Sequence, residues 1–393
     1  MTATVQDEAL AQLPTTDPDL LYSDVEDHLR ASVRSLLADR GGPEAVLARV
    51  ESDQPYDLSL WRALAADLGC AGLAVGEEYG GHGATARELA VVLEELGASV
   101  APVPFLGSVV LATPAVLACA QDGSGGARDA ARDLVGRLAR GVATATLAVP
   151  LSTAPGSPFP TAVRAAGDGI LTGGVGTVVD AAVAGELVVP AMDDGGPALY
   201  AVAAADATVE PLGALDLTRG IADVTLTDTP ATLLAGPDLA PAALDRALLF
   251  AAGLIASEQL GIGQWCLDST VAYTKQRYQF GRPVGSFQAL KHRMADMWLE
   301  LVSARAAARY AADCLATGSS DTPVAVAMAK AYCSDAAVHL AEECIQLHGG
   351  IGMTWEHPAH LFLKRAKSDQ LALGTPGRHR ATLATLVDLP APD

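Results

Sequence analysis

The sequence predicts an α+β fold with an N-terminal all-α domain, a middle β domain and a C-terminal four-helix bundle. Capping motifs precede apolar helical runs at the start, short Val, Leu, Ala and Thr runs separated by Gly, Pro and Asp follow, and long helical runs close the chain. The 393 residues are 50% hydrophobic, which suffices for two or three packed units. We place a flexible N-terminus and three domains at residues 1–20, 21–141, 142–235 and 236–393.

Helix starts are marked by capping residues in the N-terminal domain. Ser23 with Glu26, and Thr85 with Glu88, have the spacing of capping boxes ahead of apolar periodic runs. Asp57 is placed to cap a third helix, which Gly69 is placed to end.

An uncharged stretch runs from Leu96 to Gln121 and is long enough to span a membrane. Pro102, Pro104 and Pro114 break it, so we expect a buried helix of a globular domain and no membrane insertion. A charged helix is predicted next, from about Gly123 to Gly141.

Four short runs in the middle domain have the composition of strands joined by tight turns. These predicted strands are Ala143–Val149, Gly169–Thr172, Glu186–Val189 and Ala198–Ala203. In the C-terminal domain, Ser286 is placed to cap a helix from Phe287 to Leu315. Thr322 with Pro323 predicts the start of another helix, which ends at His348.

Charge and cysteine content exclude several classes of function. A net charge of -20 argues against a nucleic-acid partner, because phosphates are bound by clustered Lys and Arg. The six cysteines are scattered and show neither a disulfide framework nor metal-ligand spacing. The segment Met1–Leu20 lacks the pattern of a signal peptide, so we expect a cytoplasmic protein.

Two motif segments in the C-terminal domain suit a dinucleotide-like cofactor. The segment Tyr273–Gln288 contains Arg277, whose planar guanidinium fits a pyrophosphate, and Phe280, which offers a stacking surface. The segment Gln346–Gly352 contains two adjacent glycines, which let the main chain approach a ligand with its amides exposed.

These segments resemble signature motifs of the acyl-CoA dehydrogenase family, and Glu77–Gly81 resembles that family's Glu-x-Tyr-Gly-Gly turn. The resemblance covers the chain after residue 20. It implies an FAD cofactor shared between neighbouring subunits, hence a homotetramer or a heterotetramer with a paralogous subunit. It also implies an acyl-CoA substrate of lipid metabolism and β-oxidation, with an electron-transferring flavoprotein as acceptor. The cofactor-binding residues implied are Arg277, Phe280, Gln288, Gln346, His348, Gly349, Gly350 and Thr375.

The resemblance also implies a chemistry for which this chain lacks the expected base. Acyl-CoA dehydrogenases remove the α proton of a thioester with a carboxylate while the β hydrogen leaves as hydride to the flavin. Most members carry the carboxylate just before a Gly-Thr pair, and here Leu373 precedes Gly374-Thr375. A second group carries it on the preceding long helix, at the position that Ala251 occupies here.

Three acids are weak candidates for a displaced base, so the catalytic residue stays unknown. Glu258 lies seven residues after Ala251, on about the same helix face but roughly 10 Å further along the axis. Asp369 lies four residues before Leu373, and Asp245 points to another side of its helix.

The part of the family motif that contacts the flavin ring is also poorly matched. The corresponding segment, Leu147–Ser157, offers only Ser152, Thr153 and Ser157 as polar contacts, and the middle domain contains no tryptophan. The backbone N–H of residue 373 survives and is expected to polarise the thioester oxygen. The small residues of Phe250–Ser257 suggest a roomy pocket for a branched or polycyclic acyl group.

Three functions remain open at this point. The chain is an acyl-CoA dehydrogenase with a displaced base, or a non-catalytic subunit whose paralogous partner supplies the glutamate, or a flavin oxidase or monooxygenase of the same fold. The loss of the carboxylate at both usual positions favours the heteromeric interpretation more than a single substitution would.

Overall fold

The computed structural model describes residues 18–40, 42–167 and 169–390, without the side chain of Glu44. Helical, β and helical segments follow one another along the chain, which confirms the predicted fold class. Residues 1–17 of the predicted flexible N-terminus lie outside the described residues. Its last residues are held, because the carbonyl oxygen of Asp19 accepts a hydrogen bond from Nη1 of Arg87 at 2.6 Å.

The N-terminal domain begins with helices whose caps match the sequence patterns. Both capping boxes form, and Asp57 accepts a hydrogen bond from the backbone N–H of Leu60 at 2.9 Å. The uncharged stretch is buried, as expected, and forms π-helical turns over Leu106–Ala112. The six α-helices are α1 Asp24–Ala38, α2 Gly42–Val50, α3 Leu58–Arg62, α4 Ala86–Ser99, α5 Thr113–Asp122 and α6 Gly125–Ala139.

The middle domain is one eight-stranded sheet in the order β6-β7-β3-β2-β4-β5-β8, with β1 paired to β4. Neighbours are antiparallel except β1 and β2, which both run parallel to β4. The run Gly169–Thr172 only starts the ten-residue β3, whose glycines hide the rest of the strand. The strands are β1 Ala145–Leu147, β2 Val163–Ala166, β3 Ile170–Val179, β4 Glu186–Asp193, β5 Gly196–Ala203, β6 Thr208–Pro211, β7 Ile221–Pro230 and β8 Thr232–Ala235.

The C-terminal domain contains three long helices, two shorter ones and a two-stranded hairpin. The helices are α7 Ala240–Gln276, α8 Gln288–Thr317, α9 Thr322–His348, α10 Ala359–Leu371 and α11 Pro376–Leu386. The hairpin joins β9 Tyr278–Gln279 to β10 Arg282–Pro283.

Two predicted caps in this domain are wrong. The Ser286 hydroxyl is buried without a hydrogen-bond partner, and Phe287 occupies the N-cap position of α8. Thr322 is the first residue of α9, and its hydroxyl donates to the carbonyl oxygen of Cys314 at 3.0 Å. Long-range packing therefore overrides the local capping signal at both helix starts.

Small residues bring α4 and α7 into close contact. A Cβ atom at position 97 would lie 2.1 Å from the carbonyl oxygen of Glu258, and one at position 261 would lie 1.9 Å from that of Glu94. By length and composition α7 is apolar enough to cross a membrane. In this fold it packs against α4, α8 and α9.

Candidate functional site

The two cofactor motifs meet where α7 and α9 end. The rings of Tyr273 on α7 and His348 on α9 stack with their centroids 4.5 Å apart. Arg277 follows the last residue of α7, and Gly349 follows the last residue of α9. The structure therefore places the Arg277 segment beside the Gly349-Gly350 turn, as a shared binding surface requires.

The hairpin between β9 and β10 presents an aromatic side chain at its tip. Phe280 and Gly281 have φ angles of +54° and +75°, the left-handed pair that a tight two-residue hairpin turn needs. Phe280 is 90% exposed, and its ring meets that of Phe287 edge to face at 6.1 Å. A phenylalanine held in a strained conformation at full exposure suits a contact with a ligand or another subunit.

Most predicted cofactor residues lie on the surface. Gly349 has φ +62° and ψ -141°, a conformation for glycine, and a Cβ at position 349 or 350 would meet open space. The exposed members of the predicted set are Arg277, Phe280, Gln288, Gln346, Gly349, Gly350 and Thr375. A cation, a stacking ring and an open glycine backbone are what a dinucleotide needs, so these residues fit FAD.

His348 is the member that the structure does not bring to this surface. Its side chain is 2% exposed, and Nδ1 lies 2.7 Å from the carbonyl oxygen of Cys344 on the same helix. Its ring also contacts that of His357, with the centroids 4.2 Å apart. The predicted cofactor contact of His348 is thus replaced by packing that supports the glycine turn from below.

The two usual positions of the base are packed inside the protein. Ala251 is fully buried and Leu373 is 1% exposed. The backbone N–H of Leu373 donates to the carbonyl oxygen of Leu151 at 2.7 Å, and the carbonyl oxygen of Leu373 lies 2.8 Å from Nε2 of His379. The expectation that this N–H polarises a thioester is therefore wrong for the conformation seen here.

The Leu147–Ser157 segment is fixed against its surroundings. The N–H of Leu151 donates to Thr177, and the N–H of Gly156 donates to Oδ1 of Asp245 at 2.6 Å. Asp245 thus anchors this loop. Ser152 is exposed and Thr153 is half-buried beside it.

Glu258 and Asp369 do come together, but within a buried charge cluster. We call Asp216, Arg219, Glu258, Arg365 and Asp369 the junction cluster. Arg219 Nη2 lies 2.6 Å from Glu258 and 3.0 Å from Asp369, and Arg365 bonds both Glu258 and Asp216. Each of the five side chains is at most 5% exposed. The cluster joins the loop before β7 to α7 and α10.

Opposite pKa shifts separate the two carboxyl groups of the cluster. Burial raises the pKa of Glu258, but the charges of Arg219 and Arg365 outweigh it, so this pKa is lowered. Burial and the nearby Glu258 charge raise the pKa of Asp369 to about 8. One oxygen of Asp369 also lacks a hydrogen-bond partner, as suits a protonated acid. The roomy pocket and the displaced base predicted here are therefore replaced by helix packing and ion pairs.

Lys330, which the sequence did not single out, holds the turn after α10. Its fully buried Nζ lies 2.9 Å from the carbonyl oxygen of Asp369 and 3.1 Å from that of Gly374. Burial lowers the pKa of Lys330 to about 8. The only sequence signal was a lysine inside an otherwise apolar helical run, at a position facing the bundle.

An apolar cavity of about 170 Å³ lies between the N-terminal helices and α7. Phe250 contributes to its wall beside the buried Ala251, and Arg246 and Gln121 are its longest polar side chains. Its other walls include Leu89, Val109 and Leu117. A cavity of this kind suits an apolar group of modest size.

The α–β–α fold with an exposed dinucleotide-type surface at the helix ends defines the class of protein. The chain matches the families "Acyl-CoA dehydrogenase, N-terminal domain" over residues 23–124 and "Acyl-CoA dehydrogenase, C-terminal domain" over residues 242–387. The chain belongs to the acyl-CoA dehydrogenase family, and its enzyme class is that of oxidoreductases.

Relatives and solved structures agree with this assignment. Acyl-CoA dehydrogenase IpdE2 of Mycobacterium tuberculosis is 36% identical over 348 residues, 88% of this chain and 92% of that protein. The ChsE4-ChsE5 complex of Mycobacterium tuberculosis contains a chain with 28% identity and a TM-score of 0.81, covering 95% of this chain and 100% of that one. The Tcur3481-Tcur3483 steroid dehydrogenase variant contains one with 31% identity and a TM-score of 0.79, covering 93% and 98%.

Proposed function

We propose that this chain is a subunit of a heteromeric acyl-CoA dehydrogenase that desaturates an acyl-CoA thioester between its α and β carbons. A paralogous partner supplies the catalytic carboxylate, and this chain completes the FAD site. One observation carries the proposal. Leu373 stands where the base belongs, and its N–H is bound to Leu151 instead of being free for a thioester.

The residues of this chain have a binding role in the reaction. FAD, when bound, accepts the hydride from the β carbon. Arg277 supplies a guanidinium without an ion pair in the described part of the chain, and Phe280 an exposed ring. The open backbone at Gly349 and Gly350 admits a ligand or a neighbouring subunit. These groups orient and neutralise the cofactor, and none of them moves a proton.

Activity of this chain alone is the less supported alternative. Glu258 and Asp369 are enclosed in the junction cluster, so neither carboxyl is placed to reach an α carbon. The cavity beside Ala251 is the one feature that favours substrate binding within this chain. No described residue favours oxidase or monooxygenase chemistry over dehydrogenation.

The substrate class and the setting are also proposals. One related solved structure is a steroid dehydrogenase and another is a complex of two different chains, which supports a steroid-type acyl-CoA and a heterotetramer. We propose a cytoplasmic enzyme that passes electrons to an electron-transferring flavoprotein.

The test is to purify the chain alone and again after co-expression with a paralogue that carries glutamate at either usual position. Each preparation is titrated anaerobically with straight-chain, branched and steroid acyl-CoAs while flavin absorbance is followed. We expect bleaching only in the co-expressed complex, and none when the partner's glutamate is changed to glutamine. Bleaching by the chain alone would overturn the heteromeric proposal.

A further inference from the structure

The cofactor surface of this chain has an unusual charge. Between Asp268 and Asp296 the sequence contains no Asp or Glu but five Lys and Arg residues, although the whole chain carries a net charge of -20. Of these five, Arg293 is paired with Glu343. The local positive potential favours an anionic ligand at this place in an otherwise acidic protein.

The hairpin places two of these arginines on one face. Arg282 pairs with Gln279, and the N–H of Val284 donates to the carbonyl oxygen of Arg277 at 2.8 Å. Residues 277, 279, 282 and 284 therefore share one face, because side chains alternate along each strand. A diagonal cross-strand pair such as Arg277 and Arg282 is typically separated by about 7–8 Å.

Arg282 is also held in place by aromatic rings. Its guanidinium carbon lies 3.8 Å from the centre of the Phe287 ring, which Phe280 meets edge to face. In the described part of the chain, neither Arg277 nor Arg282 forms an ion pair. A guanidinium stacked by its flat face keeps its N–H edge free for an anion, and part of its side-chain freedom is already lost.

We propose that Arg282 is a second cationic contact for the FAD pyrophosphate, acting with Arg277 on the same hairpin face. The pyrophosphate diester carries two negative charges, and one arginine for each phosphate balances them. This inference rests on the proposed function, because it concerns the cofactor that this chain and its partner share.

The test measures FAD affinity, independently of turnover, in the co-expressed complex. Apo-complexes of the unchanged protein and of Arg282→Gln, Arg282→Lys and Arg164→Gln are titrated with FAD and with riboflavin at two salt concentrations. Arg164 is an exposed arginine of β2 without an ion pair and serves as the control. We expect Arg282→Gln to weaken FAD binding about tenfold and to reduce its salt dependence, since one phosphate contact is lost.

Riboflavin affinity separates a phosphate contact from a structural effect, because riboflavin has no phosphate. We expect it to be unchanged in Arg282→Gln, and we expect Arg282→Lys to recover part of the FAD affinity. An unchanged FAD affinity in Arg282→Gln, or an equal loss for both ligands, would overturn the inference alone. An unchanged complex that binds no FAD would overturn the proposed function and this inference together.

Discussion

Glu258 and Arg219 face each other across the boundary between the middle and C-terminal domains, with Oε2 of Glu258 2.6 Å from Nη2 of Arg219. Arg365 from α10 bonds the other oxygen of Glu258. One carboxylate thus neutralises two buried guanidiniums from different parts of the chain. The arrangement assigns Glu258 to the joining of domains and away from proton transfer.

Replacing Glu258 by glutamine is expected to destabilise the protein without a specific loss of turnover. The change leaves two buried arginines short of a counter-charge, which costs about 3–5 kcal/mol. The urea midpoint of the complex should fall, while the turnover of the molecules that remain folded stays near that of the unchanged enzyme. A loss of turnover at least a hundredfold with an unchanged midpoint would instead identify Glu258 as the base.

The raised pKa of Asp369 predicts a pH-dependent stability difference. This pKa is about 8 in the folded chain against 3.8 for an ordinary aspartate, so the folded state holds an extra proton between these values. The contribution of Asp369 to stability is therefore fully present below about pH 4 and is lost as the pH rises through 8.

Asp369→Asn removes this titration and keeps an acceptor for Arg219. We expect the stability of the variant relative to the unchanged protein to rise between pH 5 and 8, by up to roughly 1.4 kcal/mol per pH unit, and to level off above pH 8. Urea midpoints of both proteins at pH 5, 6.5, 8 and 9 provide the measurement. A difference that does not vary with pH would show that Asp369 is ionised throughout.

The glycine turn after α9 allows a matched pair of substitutions. Gly349→Ala forces a Cβ onto a backbone with φ +62° and ψ -141°, which costs on the order of 1–3 kcal/mol if the turn is kept. Gly350→Ala adds a methyl group to open space in this chain. We expect the first to lower the melting temperature and the second to leave it unchanged.

The same pair then reports on the cofactor surface. If FAD or the partner subunit approaches the backbone at Gly350, Gly350→Ala lowers FAD affinity in the complex although the chain alone is unaffected. Equal FAD affinity of Gly350→Ala and the unchanged complex would place the cofactor away from this residue.

Close packing of α4 and α7 predicts intolerance of a single methyl group. Gly261→Ala would place a Cβ 1.9 Å from the carbonyl oxygen of Glu94, so the helices must separate, at a cost of about 1–3 kcal/mol or more. Gly126→Ala, near the start of α6 with no atom within 4 Å of the new Cβ, is the control. It should be neutral or stabilising by roughly 0.5–1 kcal/mol. Similar melting temperatures for the two variants would contradict the close contact.

Features set by neighbouring residues could be predicted from the sequence. The capping boxes at Ser23 and Thr85 form because each needs only a glutamate three residues later. The order of helical and β segments follows from composition and periodicity for the same reason. The exposed cofactor residues were predicted because the motif that carries them is nearly contiguous.

Features that depend on distant residues could not be predicted in this way. Glu258, Arg219 and Arg365 are far apart in sequence, so helix periodicity could place Glu258 on a face but could not reveal its partners. Burial of His348 and the hydrogen bond between Leu373 and Leu151 depend on how loops and helices pack. Composition suggested a pocket around Ala251, whereas small residues in a helix serve equally well to bring a second helix close.

The exposed tip of the β9–β10 hairpin has a consequence for how the cell must make this protein. A bare phenylalanine at 90% exposure, with Tyr278 beside it at 62%, is the kind of surface that chaperones and proteases recognise on unassembled chains. Supply of the chain and of the subunit that covers this tip should therefore be balanced during synthesis. Surplus copies are expected to be degraded, so their half-life would report on assembly inside the cell.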